Sequence, residues 1–225
     1  MKRDIREFIR EKREWTEPLS KREESLGFRG WHSRGYLPHF DAPGVVQMIT
    51  YQLHDAMPAS RRHEWAEQLK IGDERERRIK IEEYLDAGQG EYHLRQPEIA
   101  SVIQENLLRF DGIRYRLLAW VIMPNHVHAL IEIQETPLAT IVRSWKSYTA
   151  NEANRLLGRT GTFWQPEYFD RYMRDQEHLA KAIRYIENNP MKATLMRLPA
   201  EWLFGSATFA RIGARAASPR VEVAA

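Results

Sequence analysis

Residues Trp120–Ile133 read WVIMPNHVHALIEI, an apolar run interrupted at Pro124-Asn125 and carrying two histidines one residue apart. Pro-Asn is a turn dipeptide, so the flanking IRYRLLAWVIM and HVHALIEI are expected to be two strands joined there. Alternate side chains of a strand share a face. His126, His128, Leu130 and Glu132 then point one way, and Val127, Ala129, Ile131 and Ile133 the other. The second set suits burial against helices, which leaves both imidazoles together on the opposite side. That spacing brings two ring nitrogens near one point, as a metal site requires. It equally suits two hydrated or hydrogen-bonded histidines on a half-exposed sheet face. Two ligands do not hold a metal usefully, so the decision turns on a third.

Working outward, VVQMITYQL (Val45 to Leu53) is rich in β-formers and predicts a first strand. PEIASVIQENLLRF predicts a helix opened by Pro97, with Ile99, Val102, Ile103, Asn106 and Leu107 at helical spacing. PLATIVRSWKSYTANEANRLL predicts a long helix ended by Gly158, and GTFWQPEYF a short extended segment. DQEHLAKAIRYIENN predicts a helix capped by Asp175 and stopped by Pro190. The order strand, helix, strand, strand, helix, strand is a βαββαβ ferredoxin-like α+β plan with an antiparallel sheet and one further helix appended. GYLPHFDAPG, with two prolines and two glycines, is expected to be a loop. The expected organisation is a charged arm over 1–34, one catalytic-type domain over 35–209 with a charged helical insertion at about 58–90, and a disordered tail over 210–225.

The chain has 225 residues, 43% of them hydrophobic, with 7 Trp and no Cys. That is enough for one sizeable core, and it excludes disulfides and thiolate metal sites. No run approaches the roughly 18 apolar residues that span a bilayer, and MKRDIREFIREKREW lacks an apolar signal region, so a cytoplasmic protein is expected. The net charge is only +3, but it is unevenly spread. Residues 53–100 hold 11 acidic and 8 basic side chains, residues 140–200 hold 10 basic and 6 acidic. The basic excess lies where a phosphate backbone could be held. GQG at Gly88–Gly90 lacks the lysine and helix start of a phosphate-binding loop.

In AIRYIENNPMKA, Tyr185 and Asn189 are four residues apart and so lie on one helix face. Leu179, Ala182, Ile183 and Ile186 seat that helix on the body. A tyrosine at this spacing is ordinary in packing, and only its company with the histidine pair gives it weight. Together, MPNHVHALIE and YIENNPMKA resemble the histidine–hydrophobic–histidine signature and nucleophile helix of single-tyrosine HUH nucleases. The pattern is most similar to the REP-associated tyrosine transposases, relatives of the smallest bacterial insertion-sequence transposases. GYLPHFDAPGVVQMITYQL and RSWKSYTANEANRLLGRTGTFWQPEYFDRYMRD extend the resemblance to roughly Gly35–Ala207, in the family's order. The arm before Gly35 and the tail after Phe209 fall outside it.

The resemblance implies a bacterial enzyme that cuts single-stranded DNA beside hairpins, as a monomer or homodimer with no membrane association. It implies Tyr185 as nucleophile and His126, His128 and Asn189 as ligands of a divalent cation, Mg²⁺ or Mn²⁺. A His/His/Asn set adds no ligand charge, which leaves the site positive toward a phosphate. Glu132, on the same strand face, reads as a surface glutamate or as support behind the ligands. Phenol has a reference pKa of about 10, and no general base stands beside Tyr185 in sequence. Arg143, Lys146, Arg171, Arg174 and Lys192 are candidate phosphate contacts. Trp164, Tyr168 and Phe169 suit either stacking on unpaired bases or core packing. Tyr148 is a rival nucleophile whose i+4 neighbour, Glu152, would repel phosphate. A hydrolase barrel with HxH needs about 250 residues, and fewer follow here than its plan requires. A hairpin-binding regulator without cleavage stays open as the alternative.

Overall fold

The computed structural model describes residues 17–33, 38–56 and 90–209, together with Glu76 and Lys80. Half of the expected arm (1–16 and 34), the greater part of the 58–90 insertion and the whole 210–225 tail lie outside the described residues.

The βαββαβ expectation holds in order and in pairing. After helix α1 (Lys21–Ser25) and a two-stranded ribbon, β1 (Gly30–Ser33) with β2 (Pro38–Asp41), the core runs β3 (Val46–Gln52), α2 (Pro97–Arg109), β4 (Tyr115–Ile122), β5 (His126–Ile133), α3 (Leu138–Leu156), β6 (Phe169–Tyr172) and α4 (Gln176–Lys192). The sheet order is β4-β5-β3-β6 with every pairing antiparallel, the ferredoxin-like arrangement.

Both faces of this sheet are covered. Ile49, Tyr51, Val127, Ala129 and Ile131 pack with Ile99, Ile103 and Leu107 of α2 and Ile141, Val142 and Trp145 of α3. Val46, Met48, Val121 and Leu130 pack with Leu179, Ala182 and Ile186 of α4. Pro97 sits in the first turn of α2, and Asp175 caps α4 by accepting from His178 N at 2.7 Å. Such a cap satisfies a backbone donor that the helix leaves orphaned. Gly90 has a backbone explanation of its own. Its φ is +83°, and a Cβ there would meet the Asp55 carbonyl oxygen at 2.2 Å, so close backbone approach accounts for the residue.

Three local expectations are corrected. GYLPHFDAPG is not all loop, since its Pro38–Asp41 pairs with Gly30–Ser33. The segment lacks an alternating apolar signature because two of its buried residues are polar and partnered. His39 meets the Asp170 carboxylate, and Asp41 accepts from Leu138 N at 2.9 Å. The sixth strand is FDRY rather than GTFWQPEYF; within the latter, Trp164 makes a lone bridge to Leu53, and Pro166 has no N–H for a ladder. Helix α4 does not stop at Pro190, which lies inside it and is buried. So near the end, proline removes one helical hydrogen bond, while Ala193 N still reaches Asn189 O at 3.0 Å and Leu195 N reaches Pro190 O at 2.9 Å.

Beyond α4 the chain returns to the outer edge of β4. Gly205 bridges Val121, Ile122 N donates to Phe204 O at 2.9 Å, and the Trp202 indole donates to Ile122 O at 2.9 Å. An open strand edge is thereby covered over part of its length.

Candidate active site

The site forms where the start of β5, the end of β3 and the last turns of α4 meet. The Pro124-Asn125 turn is pinned by three main-chain bonds: Met123 N to His126 O, Leu53 N to Asn125 O, and Leu94 N to Pro124 O. That holds the first residues of β5 in register with β3, Gln52 opposite His126 and Thr50 opposite His128. Opposed residues in a sheet share a face, so Thr50, Gln52, His126 and His128 all look toward α4.

The histidines are not on a half-exposed face. Each is only 1% exposed, and their Nε2 atoms lie 3.1 Å apart. His126 Nδ1 is 2.8 Å from Asn125 Oδ1, and His128 Nδ1 is 2.7 Å from Thr50 Oγ1. A carbonyl oxygen only accepts, so His126 carries its proton on Nδ1 and leaves a lone pair on Nε2. Burial pushes His126 down to about 3; His128 is lowered well below the usual range by burial, then by His126 and Lys192. Both rings are therefore neutral at ordinary pH, the form that binds metals.

From α4, the Asn189 amide nitrogen sits 3.4 Å from His128 Nε2, and the side chain is fully buried. Its Oδ1 has no hydrogen-bond partner. The helix end is thus packed, and the amide is held in place. One turn back, the Tyr185 ring meets the His128 ring edge-on, with centroids 5.4 Å apart. Lys192 Nζ stands 4.3 Å from the centre of the Tyr185 ring.

These residues fit a divalent cation. Donors at right angles around an ion with bonds of about 2.1 Å lie about 3.0 Å apart, close to the spacings observed. Rotating the Asn189 amide exchanges its nitrogen for the unpartnered oxygen. Among the described residues no third His, Cys, Asp or Glu completes a metal-binding group, and the Asn189 amide is a neutral oxygen-bearing side chain beside His128 Nε2.

The remaining candidates separate in space. Lys192 stands at Tyr185, and Arg171 pairs with Met48 and so shares the α4 face. Phe169 pairs with Thr50 on that face. Arg174 is exposed, its guanidinium 5.6 Å from the centre of the Tyr172 ring. Arg143 and Lys146 are on α3, across the sheet from the histidines, lining a cleft with Ser147, Pro166 and Tyr168. Lys146 Nζ donates to Pro166 O at 2.8 Å. Trp164 and Tyr168 are buried core residues, the core-packing side of the two readings their sequence left open. Trp164 packs edge-on against Tyr51 and donates to Thr149 Oγ1 at 3.0 Å, and Tyr168 lies against the His39 ring. Tyr148 is on α3, half exposed, and α3 covers the sheet face opposite α4. Sequence reasoning missed Thr50, Gln52 and the side-chain role of Asn125. The available signal was the period-2 set Val46, Met48, Thr50, Gln52, whose polar end needs an explanation once it is buried.

Residues 93–189 match the model of a family described as "Transposase IS200 like". That stretch contains both histidines, Tyr185 and Asn189, and it supports the resemblance read from the motifs. Among solved structures, a REP-associated tyrosine transposase bound to a REP hairpin aligns with a TM-score of 0.51 at 18% identity, over 80% of this chain and 86% of that one. A chain from Deinococcus radiodurans R1, described as a "putative transposase", aligns with a TM-score of 0.30 at 14% identity, over 70% of this chain and 96% of that one. No curated protein matches the chain.

Proposed function

We propose that this chain is an IS200-like transposase that cuts single-stranded DNA beside a hairpin, with Tyr185 as the nucleophile. The phenolic oxygen attacks a backbone phosphorus, the P–O3′ bond breaks, and the 3′-oxygen leaves and ends as a hydroxyl carrying the proton that the phenol gives up. The product is a 5′-phosphotyrosine and a free 3′-OH. The covalent ester keeps the broken bond's energy, so a 3′-OH attacking it rejoins strands without ATP.

His126, His128 and Asn189 would hold Mg²⁺ or Mn²⁺, which would polarise the scissile phosphate. The chain's own contribution is positional. Asn125 and Thr50 fix the imidazole orientations, as groups behind metal ligands do. The packed end of α4 sets Tyr185 and Asn189 on one face, one turn apart. The Lys192 ammonium adds positive potential beside the phenol, where negative charge develops on oxygen. Arg171 and Arg174 extend that potential along β6 toward the incoming backbone.

The observation that carries this reading is the convergence of half-buried Tyr185 with buried Asn189, His126 and His128, drawn from two separate elements. The hairpin as substrate is supported by the hairpin-bound relative of the same fold. Denaturing gel electrophoresis with end-labelled hairpin DNA and divalent metal tests it. Wild type should form a covalent adduct that Tyr185→Phe does not. An adduct of equal yield in both removes Tyr185 from the role, and hairpin binding without any adduct favours a non-cleaving binder.

A further inference from the structure

We infer that Gln52 supplies a fourth protein donor, its side-chain carbonyl oxygen, to the cation site of His126, His128 and Asn189. The inference rests on the reading of that cluster as a cation site and extends it to a residue on β3.

Register is the first argument. Gln52 lies directly opposite His126, and Thr50 opposite His128. Opposed residues have Cβ atoms about 4.5–5.5 Å apart on a common face. That the register delivers contact is visible at Thr50, whose hydroxyl reaches His128 Nδ1 at 2.7 Å. The strand end is held in place, since Gln52 O accepts from Gln165 N at 2.9 Å.

Donors and acceptors around the imidazoles are also out of balance. Gln52 is 4% exposed, and its Oε1 has no hydrogen-bond partner. Asn189 Oδ1 is in the same condition on the opposing helix. A buried carbonyl oxygen without a donor is costly, and such atoms in native proteins ask for an explanation. Here two of them come from elements on either side of the imidazole pair. His126 offers a lone pair at Nε2, and His128 does the same when its Nδ1–H serves Thr50. The cluster is rich in electron pairs and poor in protons, which is the complement of a cation. Two imidazole nitrogens and two amide oxygens suit a divalent ion of intermediate hardness. All four donors are neutral, so the full double charge stays available to a phosphodiester.

The test is Mn²⁺ binding to the full chain without DNA, followed by water-proton relaxation. Gln52→Met keeps the side-chain length and removes the oxygen, and it should weaken Mn²⁺ about 10-fold or more with an unchanged circular dichroism spectrum. Gln52→Glu keeps an oxygen there and adds charge, and it should bind Mn²⁺ at least as tightly as wild type. His128→Ala serves as the reference for loss of the site. If Gln52→Met binds like wild type while His128→Ala does not, the Gln52 inference is overturned and the cation site stands. If Gln52→Met fails to fold, weaker binding by Gln52→Glu overturns the inference and wild-type or tighter binding upholds it. If wild type itself binds no Mn²⁺, both readings fall together.

Discussion

On the face covered by α2 and α3, the sheet presents Ile49, Tyr51, Val127, Ala129 and Ile131 to a continuous apolar core. On the face covered by α4, it presents Val46, Met48 and Leu130 at one end and Thr50, Gln52, His126 and His128 at the other. Both faces are buried; the first includes one buried polar residue of the sheet, Gln47, whose amide donates to Phe40 O, whereas the second gathers four polar side chains at one end. The first face holds the fold by removing apolar area from water. The second uses the same exclusion of water to keep two imidazoles neutral and close to an amide and a phenol. The site is therefore supported by the apolar face without being part of it, and variants should separate the two.

The largest expected effect is on chemistry alone. Tyr185→Phe should abolish the covalent adduct while leaving the urea midpoint near wild type, and a large stability loss would mean that the phenol is structural. His126→Ala should likewise abolish cutting and leave hairpin binding within about 3-fold, since a neutral imidazole contributes none of the cationic phosphate contacts that dominate such affinity. Electrophoretic mobility shifts alongside cleavage measure this, and joint loss in a folded protein would assign the pair to the scaffold. On the apolar face, Trp145→Ala should cost about 3–5 kcal/mol. That residue is fully buried, and its indole donates to Tyr115 Oη at 3.0 Å. Urea unfolding reads the loss, and any surviving folded protein should still form the adduct.

Acid sharpens the comparison further. Burial lowers His126 to about 3 and His128 well below its reference. A lowered folded pKa means the unfolded chain binds the proton first. The stability owed to the neutral rings is then present above about pH 6.5 and lost as pH falls toward about 3. Metal-free wild type should lose up to about 1.4 kcal/mol per pH unit per histidine in that window, and His126→Gln should flatten the slope. Equal slopes in urea titrations from pH 7 to 5 would deny the burial effect. The smallest effect belongs to the cap of α4: Asp175→Ala should cost about 1 kcal/mol and lower adduct yield only in proportion to unfolding.

Much of this was legible in the chain itself. The turn at Pro124-Asn125, the period-2 alternation on either side and the i, i+4 pair Tyr185 and Asn189 are local patterns, and local geometry carries them into the fold. The polar end of β3 was not legible, because Thr50 and Gln52 acquire meaning only from what stands opposite them. The β1–β2 ribbon was hidden for a related reason: His39 and Asp41 look like loop residues until Asp170 and Leu138 N arrive to partner them. Trp164 and Tyr168 have the composition of a stacking platform, and packing against Tyr51 and His39 decides otherwise.

The sequence by itself determined which residues alternate, which lie one helical turn apart and which side chains have chemistry to offer. The tertiary structure alone decided that a helix distant in sequence lies across the polar end of the sheet, that Pro190 is carried inside that helix, and that the imidazoles are dry. The physical reason is range. Strand and helix periodicities are set by neighbouring bonds, whereas burial, register and the pairing of donors with acceptors depend on segments that meet only when the chain has folded.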